Sequence, residues 1–403
     1  DPREDTAAAR FRGLIRRACE KSGRRVVVLI DEYDKPLLET LDNPEMNEKI
    51  RNSLKAFYGV LKAADPWLHF VFLTGVTKFS QVSVFSDLNH LRDISLERDY
   101  ANICGITLSE LRDNFEPELR TLAKDNGLSD EEALAETQKL YNGYHFSEDT
   151  EGVFNPFSIL RTLAARCFRY YWFQTGTPTF LIRLLQRADF DLRDFGEGIS
   201  IPAQAIDDYR IQGGNPVPIL YQSGYLTIKG YDRQFNEYLL GFPNEEVQYG
   251  FLEALLPEYV PGPRNDFCVR DFVKDLQRGE TEGFMTRLRA FFSSIPYELN
   301  DKTERYYQGI FYVLFTLMGQ FAGVELRSAA GRADAVVETR DLVYVFEFKL
   351  AGSGTAEEAL RQIEEKGYLL PWTAGGKKLI KVGAVFDSET RTLGEWKALT
   401  IPT

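Results

Sequence analysis

Near the end of the chain, two short apolar runs flank a polar turn. Ala333–Val337 and Leu342–Phe348 are rich in valine and aromatic residues, and Glu338–Asp341 between them has the composition of a turn. The pattern predicts a β-hairpin. Glu347 and Lys349 lie two residues apart on its second strand, so we expect both side chains on one face.

Asp334 lies early on the first strand of this predicted hairpin. A fold at Arg340 would bring Asp334 beside Glu347 and Lys349. Two carboxylates and an ammonium at one sheet edge suit metal-assisted cleavage of a phosphodiester, because carboxylates hold a hard divalent cation and a lysine orients water. A lone E-x-K on a strand is more commonly a solvated face. Here, however, the charges interrupt an apolar run, where an unpaired charge is costly.

The spacing of these three residues resembles the active site of the PD-(D/E)XK nuclease superfamily. Asp334 is followed by twelve residues and then by Glu347-x-Lys349. The resemblance implies that Asp334 and Glu347 bind Mg²⁺ or Mn²⁺. It also implies a further acid from the helix before the hairpin, for which Glu304 is the candidate. A polar residue of the following helix can face the site in this superfamily, and Gln362 fits that role.

A second group of acids follows an apolar run near the start of the chain. Val26–Ile30 is apolar throughout and ends in Asp31-Glu32. Such strands are typical of the middle of a parallel sheet, at whose carboxyl edge ligands bind. Apolar residues followed by Asp-Glu match the Walker B motif, whose aspartate holds the magnesium of ATP and whose glutamate polarises water. His69–Leu73 is the next predicted strand, and Thr74 matches sensor 1, although an ordinary strand-to-turn junction has the same composition.

Six longer blocks carry a more specific resemblance. They are Leu29–Leu37, Leu73–Ser80, Ser83–Asn89, Cys104–Thr107, Tyr141–Phe146 and Asn155–Ser158. These blocks are very similar to a family of bacterial AAA-ATPase-like proteins that carry a PD-(D/E)XK-like nuclease domain at the C-terminus. Members have a phosphate loop before Walker B, but no G-x-x-x-x-G-K-[ST] occurs in this sequence. We therefore expect ATP, the cofactor implied for the intact protein, not to be hydrolysed by this chain alone.

The predicted fold class is α/β, with a partial P-loop AAA-type parallel sheet, a helical lid and winged segment, and a PD-(D/E)XK nuclease-like domain. The predicted domains are residues 1–150 for the AAA-ATPase-like core lacking Walker A, 151–256 for the lid and winged-type segment, and 264–403 for the nuclease-like domain. Pro257–Pro263 is predicted to be the linker. The start, which lacks Met and an apolar signal core, indicates a piece of a longer chain.

The charge of the chain restricts how it can meet nucleic acid. A net charge of -12 argues against a protein that binds DNA over most of its surface. From Asp301 to the end, 13 basic and 14 acidic residues give -1, so a local patch such as Lys377, Lys378 and Lys381 could still meet a phosphate backbone. No apolar run is long enough to span a membrane. The 4 cysteines are scattered, which predicts a reducing, cytoplasmic location.

Three functions are compatible with these patterns. The first is a magnesium-dependent nuclease that cleaves DNA under the control of an ATPase part, through which oligomers could also form. The second is a nucleotide-gated switch or scaffold whose nuclease fold binds nucleic acid or partners without cleavage. The third is a nucleotide-driven remodeller. Retention of Asp334, Glu347 and Lys349 favours the nuclease, whereas the acidic charge argues against a simple DNA-binding protein.

Overall fold

The structure is a computed structural model of the chain. It describes residues 6–40, 43–76, 91–175, 179–206, 215–260, 269–295, 304–320, 325–327, 334–387, 389–390 and 392–401, and for residues 174, 175, 304, 305 and 325–327 it describes the backbone alone. Most of the predicted blocks Leu73–Ser80 and Ser83–Asn89 lie outside these residues. Within them, no helix is both long and apolar enough to cross a membrane.

The described residues form a mixed α/β structure. The helices are α1 (Ala7–Ser22), α2 (Lys35–Leu38), α3 (Pro44–Ala63), α4 (Leu108–Asp125), α5 (Asp130–Tyr141), α6 (Pro156–Ala165), α7 (Thr179–Arg187), α8 (Asp194–Glu197), α9 (Val217–Gln222), α10 (Glu245–Tyr259), α11 (Val269–Arg278), α12 (Thr281–Ser293), α13 (Glu304–Met318) and α14 (Ala356–Glu365). The strands are β1 (Val26–Ile30), β2 (Leu68–Leu73), β3 (Ile199–Pro202), β4 (Thr227–Asp232), β5 (Glu237–Gly241), β6 (Glu325–Arg327), β7 (Ala335–Glu338), β8 (Leu342–Leu350), β9 (Lys378–Asp387) and β10 (Thr392–Ile401).

The chain divides into two compact units. The first, here called the N-terminal unit, consists of Asp1–Leu111, Gly143–Phe154 and Ser200–Leu240. The second, the C-terminal unit, consists of Arg112–Asn142, Asn155–Ile199 and Gly241–Thr403. The chain therefore passes between the units several times, and the three consecutive domains expected from the sequence stay a prediction.

A two-stranded parallel sheet lies in the N-terminal unit. β1 pairs with β2 from Val27 opposite Phe70 to Ile30 opposite Leu73. The larger P-loop sheet stays a prediction. The sequence predicts that β1 is covered on both faces, yet Val27 is 51% and Leu29 is 70% exposed in the described structure. Val28, on the opposite face, is buried. One face of this apolar strand is thus uncovered among the described residues.

A small three-stranded sheet follows the order β3-β5-β4. The sequence predicts a helix end followed by two strands here, and α9, β4 and β5 occupy these positions. The turn between β4 and β5 contains Asn236 in a left-handed conformation, with φ of 55°. Asparagine tolerates this conformation better than most residues, which explains the tight turn.

The C-terminal unit contains a five-stranded sheet in the order β10-β9-β8-β7-β6. β8 runs parallel to β9, whereas β6–β7, β7–β8 and β9–β10 are antiparallel pairs. The parallel pair requires a crossover connection, and α14 provides it. The predicted strand Leu379–Phe386 is part of β9, and β10 extends the sheet beyond the prediction.

The two faces of β8 bury different side chains, as the two-residue period of a strand requires. Val343 and Val345 pack with Leu360 and Ile363 of α14 on one face. Tyr344, Phe346 and Phe348 belong to the other face, where Phe346 contacts Phe284 and Phe315, and Phe348 lies 4.1 Å from Phe311 between ring centroids. The sheet is therefore held between α14 and an aromatic layer from α12 and α13.

The segment predicted to be a linker begins inside a helix. Pro257 lies in the last turn of α10, which continues to Tyr259. Tyr259 is 8% exposed, and its carbonyl accepts a hydrogen bond of 2.9 Å from the Tyr306 hydroxyl. Packing of this turn against α13 thus overrides the helix-breaking tendency of proline, and the remainder of the predicted linker, residues 261–263, lies outside the described residues.

Candidate active site

Strand register brings Asp334 to Glu347. β7 and β8 pair with Ala335 opposite Phe346, so the residue before Ala335 lies next to the residue after Phe346. The Phe348 amide donates a hydrogen bond of 2.7 Å to Asp334 Oδ2. Asp334 itself is exposed and precedes the strand rather than lying on it. The hairpin predicted from the sequence therefore forms, and it places the first carboxylate beside the second strand.

Glu347 and Lys349 continue the face of β8 that packs on α14. They follow Val343 and Val345 at two-residue intervals, so their side chains leave the sheet on the same side. Lys349 Nζ donates a hydrogen bond of 3.1 Å to Glu347 Oε1. Glu347 is only 4% exposed. The E-x-K pair is thus an ion pair between a buried carboxylate and a partly exposed lysine at the end of an apolar face.

Gln362 of α14 closes the network around this pair. Its Nε2 donates to Glu347 Oε1, and its Oε1 accepts from Lys349 Nζ, both at 2.5 Å. α14 begins at a capping box in which Thr355 and Glu358 satisfy each other's backbone amides, which fixes where the helix starts. The glutamine that the sequence assigns to this role therefore contacts both charged groups directly.

Gly383 contributes to the site without a side chain, and the sequence-based prediction did not include it. It is the register partner of Glu347 on β9. A Cβ at this position would collide with the Ala356 carbonyl oxygen and lie 3.0 Å from the Ala359 Cβ. Only glycine lets α14 approach the sheet this closely. A single glycine within the apolar strand Lys381-Val-Gly-Ala-Val is the signal that could have revealed the close approach.

The environment of Glu347 changes its acidity. Burial raises the pKa of its carboxyl group, and the nearby negative charge of Asp334 raises it further, to about 7. The hydrogen bond and charge of Lys349 and the backbone amide of Asp334 act in the opposite direction. A carboxyl group with this pKa exchanges its proton near neutral pH, which is typical of functional sites.

The donor set around Glu347 fits a hard divalent cation. Two carboxylates, one of them buried, repel each other here, and a cation between them would remove the cost of ionising Glu347. Among the residues that the structure describes, no group of three or more His, Cys, Asp or Glu side chains forms a metal site. The proposed third acid, Glu304, is the first residue of α13, and its side chain lies outside the described residues.

The lysine patch expected on this unit is not a free basic surface. Lys381 is 6% exposed and is paired with Glu364 of α14. Lys377 Nζ donates hydrogen bonds of 2.8 Å to Glu338 Oε1 and to the Thr339 carbonyl oxygen. Alternation along β9 turns Lys381 toward α14, which is why it is buried. Lys381 is therefore too buried to contribute to the patch that the sequence allowed as a contact for a phosphate backbone, and Lys377 is already paired with Glu338.

The acids of the N-terminal unit lie in a more open environment. Thr74 Oγ1 donates a hydrogen bond of 2.5 Å to Asp31 Oδ1, so the ends of β1 and β2 are linked by the residues that match Walker B and sensor 1. Asp31 and Glu32 are both exposed. Glu32 has a φ of 51° and forms an ion pair of 3.0 Å with Lys35. These side chains meet at the carboxyl edge of the sheet, as the sequence predicts.

Asp34 is the buried acid of this region, and the sequence-based prediction gave it no role. It is 0% exposed, and its Oδ1 accepts a hydrogen bond of 3.1 Å from the Val76 amide. A Cβ at Gly75 would lie 2.6 Å from both Asp34 Oδ1 and the Tyr33 ring. Asp34 therefore fixes the turn after β2. Its place within Asp-Glu-Tyr-Asp did not distinguish it from the exposed acids.

Comparisons with known proteins identify two family matches along the chain. Residues 1–85 match the AAA-ATPase-like family described as Predicted AAA-ATPase, and residues 302–396 match the PD-(D/E)XK nuclease superfamily. A protein of Azotobacter chroococcum mcd 1, described as an uncharacterized protein in the vnfD 5' region, is 37% identical over 396 residues, which cover 96% of this chain and 74% of the relative. No solved structure gives a significant match. The chain therefore belongs to the family of AAA-ATPase-like proteins that carry a PD-(D/E)XK nuclease-superfamily domain at the C-terminus.

Proposed function

We propose that the C-terminal unit is a magnesium-dependent nuclease that hydrolyses phosphodiester bonds of DNA. The observation that carries this proposal is the convergence of Glu347, Lys349 and Gln362 in one hydrogen-bonded network, with Asp334 held beside it by the β8 backbone. A buried carboxyl group with a pKa near 7 costs stability. Its presence on the central strand of the sheet, next to a lysine, is consistent with selection for chemistry rather than for packing.

Asp334 and Glu347 are the residues that would hold Mg²⁺ or Mn²⁺. Both offer carboxylate oxygens, which are the preferred ligands of these cations, and a divalent charge would offset their mutual repulsion. A bound cation supplies two things in such a site: it polarises the scissile phosphate and lowers the pKa of a coordinated water. Glu304 is proposed as a further ligand from its position at the start of α13.

Lys349 and Gln362 are assigned different tasks. The Lys349 side chain is 22% exposed, so substrate and water can reach it while it stays paired with Glu347. We assign it the orientation of the attacking water and the stabilisation of charge on the phosphate. Gln362 hydrogen-bonds both Lys349 and Glu347 from α14, so it positions both groups.

The N-terminal unit is proposed as the regulator of this activity in the intact protein. The supporting observation is the hydrogen bond between Thr74 and Asp31, which joins the two strand ends where a nucleotide is bound in P-loop proteins. Asp31 would hold the magnesium of ATP, Glu32 would polarise water, and Thr74 would contact the γ-phosphate. Nucleotide added to the intact protein should then change the rate of DNA cleavage.

One observation favours the alternative of a nucleotide-gated switch or scaffold that binds without cleaving. Lys349, Gln362 and Glu347 already satisfy one another by hydrogen bonds, so the network is stable without a substrate. In this case the nuclease fold would bind DNA or a partner, and replacement of the acids would not remove the activity. The two functions therefore differ in one measurable property, namely metal-dependent cleavage.

The test is cleavage of plasmid and single-stranded DNA with Mg²⁺ or Mn²⁺, using the parent chain, Glu347→Gln, Lys349→Ala and Asp341→Asn. Asp341 is an exposed acid of the same hairpin and serves as the matched control. We expect cleavage to fall about a thousandfold in the first two variants and to stay unchanged in Asp341→Asn. Cleavage that survives Glu347→Gln and Lys349→Ala would overturn the proposal, and DNA binding without cleavage would favour the alternative.

A further inference from the structure

Positive charge is concentrated in one short segment of this acidic protein. Between residues 10 and 25 the basic residues are Arg10, Arg12, Arg16, Arg17, Lys21, Arg24 and Arg25, and the acidic residue is Glu20. The segment carries a net charge of +6, while the whole chain carries -12. The rest of the molecule is therefore at -18, and the contrast makes this segment a distinct electrostatic feature.

All seven basic side chains are exposed. The opposite side of α1 anchors the helix, because Ile15 is 2% exposed and Phe11 stacks on Phe57 of α3 with ring centroids 4.7 Å apart. The helical period places Arg10, Arg17 and Lys21 on one stripe, since they are separated by seven and four residues. We call this stripe, together with the neighbouring basic side chains of residues 10–25, the α1 basic face.

Helix stability does not explain this distribution of charge. Lys21, Arg24 and Arg25 lie at or beyond the C-terminal end, where positive charge interacts favourably with the helix dipole. Arg10 is the fourth residue of the helix, where the same dipole disfavours a cation, and the first turn contains no acid. Crowded like charges on one helix are also destabilising. Arg16 Nε lies 3.7 Å from Glu20 Oε1 and Arg12 lies over the Trp67 ring, yet the segment keeps a net charge of +6, which is complementary to a polyanion.

We propose that the α1 basic face binds the phosphate backbone of DNA independently of sequence. From Arg10 to Lys21 the helix rises about 16 Å, a length over which one strand of B-DNA presents about five phosphates. The C-terminal unit does not offer an equivalent lysine surface at β9, because Lys377 and Lys381 are engaged by Glu338 and Glu364. The choice of DNA as the polyanion rests on the proposed nuclease function, whereas the binding surface rests on α1 itself.

The experiment measures the affinity of the full chain for a short fluorescein-labelled DNA duplex by anisotropy, in EDTA and over a series of salt concentrations. The test variant is Arg10→Gln/Arg17→Gln/Lys21→Gln. The matched control is Arg112→Gln/Arg120→Gln/Lys124→Gln, which removes three exposed basic residues from α4. We expect the test variant to bind at least about tenfold more weakly and the magnitude of the slope of log K against log salt to decrease by about three, or about one per basic residue removed. The control should stay within about twofold of the parent.

The outcomes separate this proposal from the nuclease proposal. Loss of binding in the α1 variant, with intact binding in the α4 control variant, supports the α1 basic face even if no variant cleaves DNA. An α1 variant that binds and cleaves like the parent, or a parent that does not bind the duplex at low salt, overturns the α1 basic face and leaves the cleavage test unaffected. The single variant Arg17→Gln, at an exposed position, guards against misfolding and should reduce the salt slope by about one.

Discussion

Acids accompany two apolar strands of this molecule, β1 and β8, and the protein surrounds the two sets of acids differently. Asp31 and Glu32 follow β1 in a two-stranded sheet and are exposed to solvent. Glu347 lies within β8, the central strand of a five-stranded sheet, and is 4% exposed. In both regions the sequence combines an apolar run with acids, which follow β1 and interrupt β8. The difference in burial of these acids therefore arises from tertiary structure.

The comparison shows that burial sets the pKa of a carboxyl group and the free-energy cost of ionising it in the absence of a ligand. In the C-terminal unit, burial and Asp334 raise the pKa of Glu347 to about 7, so the ionised site stores unfavourable energy that a cation can release. In the N-terminal unit, Asp31 and Glu32 are exposed to solvent. Their charges therefore contribute little to the free energy of folding. The nuclease-like site is therefore preorganised, whereas the ATPase-like strand end is open among the described residues.

The largest expected effect concerns the stability cost of Glu347. Because its pKa is raised in the folded state from 4.5 to about 7, the carboxyl group supports stability below about pH 4.5, and this contribution is lost as the pH rises through about 7. At about pH 8 in EDTA, Glu347→Gln should therefore raise the free energy of unfolding by about 3 kcal/mol relative to the parent. At about pH 4, where both states are protonated, the two proteins should be equally stable.

Urea unfolding at the two pH values measures this difference. Glu338→Gln is the control, because Glu338 accepts hydrogen bonds from Trp372 and Lys377 and its replacement should destabilise the protein. A Glu347→Gln variant less stable than the parent at about pH 8 would contradict the claim that this carboxylate is kept at a cost.

The next effect is the loss of positioning by Gln362. Gln362→Ala removes the hydrogen bonds to Glu347 and Lys349, so we expect DNA cleavage to slow by about 10- to 100-fold. The KM for DNA should change little, because Gln362 is assigned to positioning Glu347 and Lys349 rather than to contacting DNA. Glu365→Ala alters an exposed residue of the same helix and should leave the rate unchanged. Equal rates in parent and Gln362→Ala would show that the network does not position the lysine.

The smallest of these effects lies in the N-terminal unit, where two nearby acids should behave differently. Asp34→Ala removes a buried acceptor from the Val76 amide and should cost about 2 kcal/mol of stability. Asp31→Ala removes the acceptor of the Thr74 hydroxyl, but both groups are open to water, so it should cost less than Asp34→Ala, about 1 kcal/mol. Thermal unfolding of the two variants tests the contrast, and a larger loss in Asp31→Ala would reverse the assignment of the structural acid.

The sequence predicted what depends on local periodicity. Two-residue alternation in β8 indicated that Glu347 and Lys349 share a face, and the short turn indicated that Asp334 returns to them. The position of Gln362 followed from the resemblance to a nuclease family, and the structure brings it into hydrogen-bond contact. These features are readable because each depends on a few neighbouring residues or on a motif of fixed spacing.

Features that depend on distant contacts were not predictable. The close approach of α14 at Gly383 depends on a helix more than twenty residues away, and the burial of Lys381 depends on the same packing. Asp34 is indistinguishable from Asp31 in the sequence because only the fold shows which of them reaches the Val76 amide. The exposure of Leu29 likewise contradicts its apolar character, because hydrophobicity alone does not state which face is covered.

The most direct test of which unit contains the cleavage site is a side-by-side assay of Mg²⁺-dependent plasmid cleavage by Asp334→Asn and Asp31→Asn. Asp31 directly follows β1 and Asp334 directly precedes β7, and both are exposed. Each change neutralises one aspartate, so the two variants are matched in chemistry. We predict that Asp334→Asn abolishes cleavage and that Asp31→Asn, assayed without nucleotide, cleaves like the parent. Cleavage retained in Asp334→Asn, or lost in Asp31→Asn, would contradict the assignment of the nuclease site to the C-terminal unit.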